Sequence, residues 1–166
     1  TVVFLPVFLA LLLAVAWGLG KGVEIPWSQV LFYIGFLFSL ALCFLGIGML
    51  ISTLARSSDV ATGAAFIIWL VLLLFMDLIL LGMLIQEGIP SESVIAVALV
   101  NPLQVFRTAS MLRFDPQLVL LGPSAYVILD YFGEAGYIAW ALVYPGALGL
   151  LSAWLGYLVF RRGDLP

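Results

Sequence analysis

Four long apolar runs constrain this chain more than anything else in it. They extend from about Val2 to Leu19, Val30 to Leu54, Val60 to Ile85 and Ala135 to Phe160. Crossing the hydrocarbon core of a bilayer takes roughly 20 apolar residues at about 1.5 Å each. The last three runs hold about 25 residues apiece, enough to span with some tilt. Hydrophobic residues make up 65% of the chain and charged residues 9%, against about 25% charged in an ordinary soluble domain. A soluble fold of 166 residues leaves too much surface in water to hide so many apolar side chains. In lipid each backbone group needs an internal partner, which a helix supplies. The predicted fold is therefore all-α: a polytopic α-helical membrane protein, one transmembrane domain with four spans. Short outer interfacial or re-entrant helices precede the last span.

Several chemistries are excluded early. A net charge of −3 offers no basic patch for nucleic acid. Histidine is absent and Cys43 is the lone cysteine, so no disulfide forms within the chain and the usual zinc, iron or copper ligands are missing. Met49, Met76, Met83 and Met111 are scattered, and no metal or cofactor site is expected. The start, Thr-Val-Val, has no charged n-region and does not read as a signal peptide. A membrane protein opening inside an apolar run reads as part of a longer one.

The connections differ in kind. "GKGVEIPWSQ" (Gly20 to Gln29) is a short turn with two glycines and a proline. "ARSSDV" (Ala55 to Val60) is shorter, with Ser58 or Asp59 as the expected cap of the following helix. Orientation follows from Lys and Arg close to span ends. Arg56, Arg161 and Arg162 lie on one side and Lys21 on the other, while Arg107 and Arg113 lie far from either neighbouring span. This weighting places Ala55–Val60 and the C-terminus in the cytoplasm of a cell whose inner (plasma) membrane holds the chain. Aromatic belts agree, with Trp17, Trp27, Tyr33, Tyr131, Tyr137 and Trp140 near the outer interface and Tyr157 and Phe160 near the inner one.

Between the third and fourth runs lies a segment from Gln86 to Glu134, longer than a plain loop. Within it "NPLQVFRTASML" has the pattern of a helix start. Asn101 is a good N-cap, Pro102 suits the first helical position, and Gln104 stands where a capping box needs it. Val105, Phe106, Ala109 and Leu112 share one face, with Gln104, Arg107, Thr108 and Ser110 mostly on the other. This predicts an amphipathic helix lying flat at the outer surface, with Asn101 and Arg107 as candidates for a gate. In "GPSAYVILDYFG" Pro123 marks a second helix start and Gly133 its stop.

Two stripes of small residues stand out. Gly35, Ser39 and Cys43 recur every four residues; Gly146, Gly149, Ala153 and Gly156 recur at three and four. Such stripes let helix backbones approach closely, within one chain or between two copies. Pro145 is expected to kink the last span. Asp77 is the one ionisable residue deep in a span, where a charge costs at least about 2.5–3.5 kcal/mol; it is a candidate for a helix-helix hydrogen bond or for the lining of a path.

The order of these pieces, with "ARSSDVATGAA" inside and "NPLQVFR" outside before a final span and a basic tail, resembles the ABC-2 type transporter permeases. The resemblance implies that the chain holds the third to sixth of six spans. It implies a second permease copy and a cytoplasmic ATPase that binds the ATP, with Arg56, Ser57, Ser58 and Asp59 as its contact. Within that family, "LVNPLQVFR…LGPSAYVILDYFG" looks most like permeases serving nitrous oxide reductase maturation, which implies a periplasmic accessory partner. The residues agree that the motor lies elsewhere: "GLGKG" at Gly18 to Gly22 has the wrong spacing for a P-loop. The chain is not expected to be an enzyme, since a membrane-embedded acyltransferase or protease needs paired catalytic groups and only Asp77 lies at depth. A non-transporting scaffold of an assembly complex is the remaining alternative.

Overall fold

The computed structural model describes residues 4–22, 24–75, 78, 82, 91–114 and 123–162. Every regular element among them is helical. In order they are α1 (Phe4–Gly20), α2 (Trp27–Leu54), α3 (Ser58–Leu70) running into a π turn (Val71–Phe75), α4 (Ser91–Val100), α5 (Pro102–Phe114) and α6 (Pro123–Arg162). Two helical stretches, Trp27–Leu54 and Gly133–Arg161, are long and apolar enough to cross a membrane; Leu9–Gly20 and Ser58–Leu74 are shorter apolar helices. The expected spans over 2–19 and 60–85 are thus represented by shorter described helices. Asp77 lies outside the described residues.

The chain divides into two compact units, residues 1–32 and 33–166. In the first, α1 ends in a turn in which the Lys21 amide donates to Trp17 and Gly18 carbonyls, both at 3.1 Å. Gly22 closes it at φ +69°, a left-handed conformation that glycine adopts without penalty. The Lys21 ammonium sits 5.5 Å from the Trp17 ring centroid, within range of a cation–π attraction. α2 then begins at Trp27, three residues ahead of the apolar run, because the Pro26 carbonyl accepts from the amides of Gln29 and Val30.

In the second unit α2 and the last span run parallel with backbones almost touching. A Cβ built on Gly46 would fall 1.9 Å from the Gly149 carbonyl oxygen, and one on Gly149 would fall 2.2 Å from that of Leu42. Further along, Gly156 faces Leu50, with 3.2 Å between a built Cβ and the Leu50 Cα. Gly35 faces Leu142 and Ser39 faces Gly146. The two small-residue stripes therefore meet each other inside one chain. Cys43 is fully buried among them and Ala153 is half-buried. Gly46, outside the four-residue stripe, makes the closest approach.

The cap of α3 is Ser57, not Ser58 or Asp59. Ser57 is extended (φ −151°, ψ 161°) and its hydroxyl accepts from the Val60 amide at 3.3 Å. Ser58 and Asp59 lie inside the first turn, where the Asp59 charge complements the helix dipole. Pro123 opens α6 and Gly133 interrupts it at φ 65°, ψ 160°, as the sequence predicts for both residues. Helical dihedrals continue through Pro145.

Candidate functional site

The polar groups of the second unit converge on the corner between α4 and α5. A helix end leaves its last carbonyls and first amides without intrahelical partners, and away from water each needs another one. At this corner other elements supply them. The Leu99 carbonyl accepts from the Trp140 indole at 3.3 Å, and the Val100 carbonyl accepts from the Tyr144 hydroxyl. Trp140 and Tyr144, one turn apart on the last span, stack with ring centroids 4.7 Å apart and planes 7° from parallel.

Asn101 completes the corner. Its Oδ1 accepts from the Leu103 amide at 3.0 Å, and its carbonyl accepts the first helical bond, from Val105. Its Nδ2 donates 2.8 Å to the Leu72 carbonyl in the π turn. A π turn is a local widening of a helix, common where function requires an irregular backbone. Asn101 is 1% exposed, so one amide side chain caps α5 and holds the third apolar helix. The capping box does not form: Gln104 Oε1 is buried without a hydrogen bond.

From this corner α5 runs back along the last span, antiparallel to it. Its far end places Arg113 3.6 Å from Glu134, while its near end lies beside Trp140 and Tyr144. The expectation of a helix lying flat at the surface is corrected by this contact. Val105, Ala109 and Leu112 are buried, and so is Thr108, which the amphipathic pattern places on the polar face. Thr108 lies beside the hydroxyl of Tyr137, itself fully buried, without a hydrogen bond of good geometry. Phe106 meets Tyr33, ring centroids 5.9 Å apart. Arg107 is exposed.

The corner lies about 10–16 Å along the last span from the break at Gly133. In a membrane a helix break is tolerated where protein surrounds it. Sequence reasoning misses most of the residues that surround it. It sets Trp140 and Tyr137 in an interfacial belt, whereas Tyr137 is buried and the Trp140 N–H is committed to a carbonyl. The readable signal is two polar-tipped aromatics at i, i+4 following a glycine helix break at Gly133.

Of the other candidates, Arg56, Ser57, Ser58 and Asp59 are together and exposed at the α2–α3 turn. Among the described residues no cluster of three or more His, Cys, Asp or Glu could hold a metal ion. No curated protein and no solved structure matches the chain. The family model for the ABC-2 family transporter protein matches residues 1–165, and with that the chain belongs to the ABC-2 transporter family.

Proposed function

We propose that the chain couples ATP hydrolysis by a separate cytoplasmic ATPase to export, or to force transmission, across the membrane, without being an enzyme itself. Family membership over nearly the whole chain carries this reading. It places a permease subunit in the membrane beside an ATPase partner. A second permease copy completes the transporter.

In this reading the α2–α3 turn faces the cytoplasm and the motor. The parallel course of α2 and the last span supports one consequence, that their C-terminal ends lie on the same side. A cysteine replacing Ser57 is expected to resist an impermeant thiol reagent in intact cells, while one replacing Lys21 reacts. Cys43 is buried and stays silent. The reverse pattern inverts the orientation. A photocrosslinker at Ser57 is expected to capture a P-loop protein, identified by mass spectrometry. Failure to capture one from any position between Arg56 and Asp59 removes this turn from the motor contact.

The finer reading is maturation of a copper enzyme. It rests on the likeness of "LVNPLQVFR…LGPSAYVILDYFG" to NosY, the permease associated with nitrous oxide reductase. With no histidine and a buried cysteine, the chain would pass or signal for a cargo without ligating copper. Asp77 and Arg107 are the charged side chains we assign to that path, and Arg107 the one that would meet a periplasmic partner. Cells lacking the full permease are expected to make nitrous oxide reductase deficient in copper; a fully loaded enzyme refutes the assignment.

A further inference from the structure

The hydroxyl of Ser39 touches both ends of one backbone rung in a different helix. It donates to the Leu142 carbonyl at 2.7 Å and accepts from the Gly146 amide at 2.9 Å. In an α-helix those two groups are each other's partners, four residues apart. The neighbouring residue is Pro145, which has no N–H and removes the adjacent rung to Ala141. Insertion of a side chain into the ladder is one of the few causes of helix bending. Ser39 is 4% exposed and Pro145 is fully buried, so bulk water does not reach the ladder around the proline.

The position of this rung divides the last span by its attachments. On one side, Trp140 and Tyr144 cap the α4–α5 corner and Glu134 meets Arg113. On the other, Gly149 and Gly156 lie against the backbone of α2. Leu142 belongs to the half that carries the corner contacts and meets α2 only through a side chain, at Gly35, whereas Gly146 belongs to the half that lies backbone to backbone on α2. We propose that Ser39 is a hinge pin: its hydroxyl stands in for the weakened ladder at Pro145 and links the two halves. The last span can then bend there without exposing backbone to lipid, and movement of α2 reaches the α4–α5 corner. Under simple small-residue packing, alanine would replace Ser39 without loss. Under the hinge-pin arrangement it strips two hydrogen bonds from the 142–146 rung, beside the rung that Pro145 removes.

The test is a double-mutant cycle on the full-length permease, assembled with its ATPase in lipid nanodiscs. Ser39→Ala is expected to shift the unfolding equilibrium by roughly 5- to 150-fold, from two hydrogen bonds of ordinary net worth. Pro145→Ala restores the missing N–H and the regular ladder, so in that background Ser39→Ala should shift it by less than about 2-fold. Equal costs in both backgrounds overturn the proposal, because coupling is then absent. Should Pro145→Ala fail to fold, spin labels at exposed Phe38 and Gly136 read the joint directly. The distance distribution is expected to broaden in Ser39→Ala relative to the parent; equal widths overturn the hinge pin. The hinge pin stands apart from the cargo, since neither readout involves transport.

Discussion

Gly149→Ala is expected to abolish accumulation of folded permease, while Gly48→Ala, two residues from the equally crowded Gly46, leaves it unchanged. The contrast follows from what each new methyl group would meet. At Gly149 it would lie 2.2 Å from the Leu42 carbonyl oxygen and 2.7 Å from the Cys43 Cα; at Gly48 nothing lies within 4 Å. The atoms at Gly149 are backbone, so no rotamer change relieves the overlap and the helices themselves must separate. Overpacking in an ordinary core costs about 1–3 kcal/mol. Here separation would also part Gly46 and Gly156 from their neighbours, so the cost should exceed that range. At Gly48 the same change should be neutral or slightly stabilising, by up to about 1 kcal/mol, through helix propensity. Gel-filtration yield and thermal midpoint of the purified protein measure both. A Gly149→Ala protein with parental yield and midpoint would show that the two helices do not rely on this contact.

Some of this architecture is legible in the residues alone, and the reason is physical. The apolar runs, Pro123, Gly133 and the Asn101–Pro102 helix start are local signals, each set by backbone chemistry within a turn or two. The small-residue stripes are legible as contact surfaces but not as partners of each other, because periodicity names a face and not what covers it. The corner itself is hidden. Burying Thr108 and Tyr137 and committing Trp140 and Tyr144 to the carbonyls of α4 depend on where a distant helix end lands. Amphipathicity misassigns α5 because its neighbour is another helix, so Thr108 on its nominally polar face could be buried there. Ser57 displaces Ser58 and Asp59 as the cap by one or two residues, the ordinary uncertainty of a helix boundary.

Asn101 allows its two roles to be separated, since aspartate is as good an N-cap as asparagine. If capping α5 were its whole purpose, Asn101→Asp would be as stable as the parent, and Asn101→Ser nearly so. The structure implies a different order. The ionised carboxylate of Asn101→Asp still accepts from the Leu103 amide, but it turns its second oxygen toward the Leu72 carbonyl, where Nδ2 now donates at 2.8 Å. Two acceptors then face each other at a site that is 1% exposed. Asn101→Ser keeps a cap and leaves Leu72 unpartnered, at about 1–3 kcal/mol; Asn101→Asp at neutral pH should cost more. Acid should reverse that order. Burial and the opposing carbonyl raise the folded-state pKa of the introduced carboxyl above its unfolded value. The protonated form carries an O–H that can donate to Leu72. Its stabilising contribution is therefore fully present below the unfolded pKa and lost as pH rises through the folded one. Unfolding in detergent titrations across that window should show Asn101→Asp gaining stability relative to Asn101→Ser as pH falls. A flat difference between the two variants, or an aspartate variant as stable as the parent at neutral pH, would remove the Leu72 bond from the corner and leave Asn101 a cap alone.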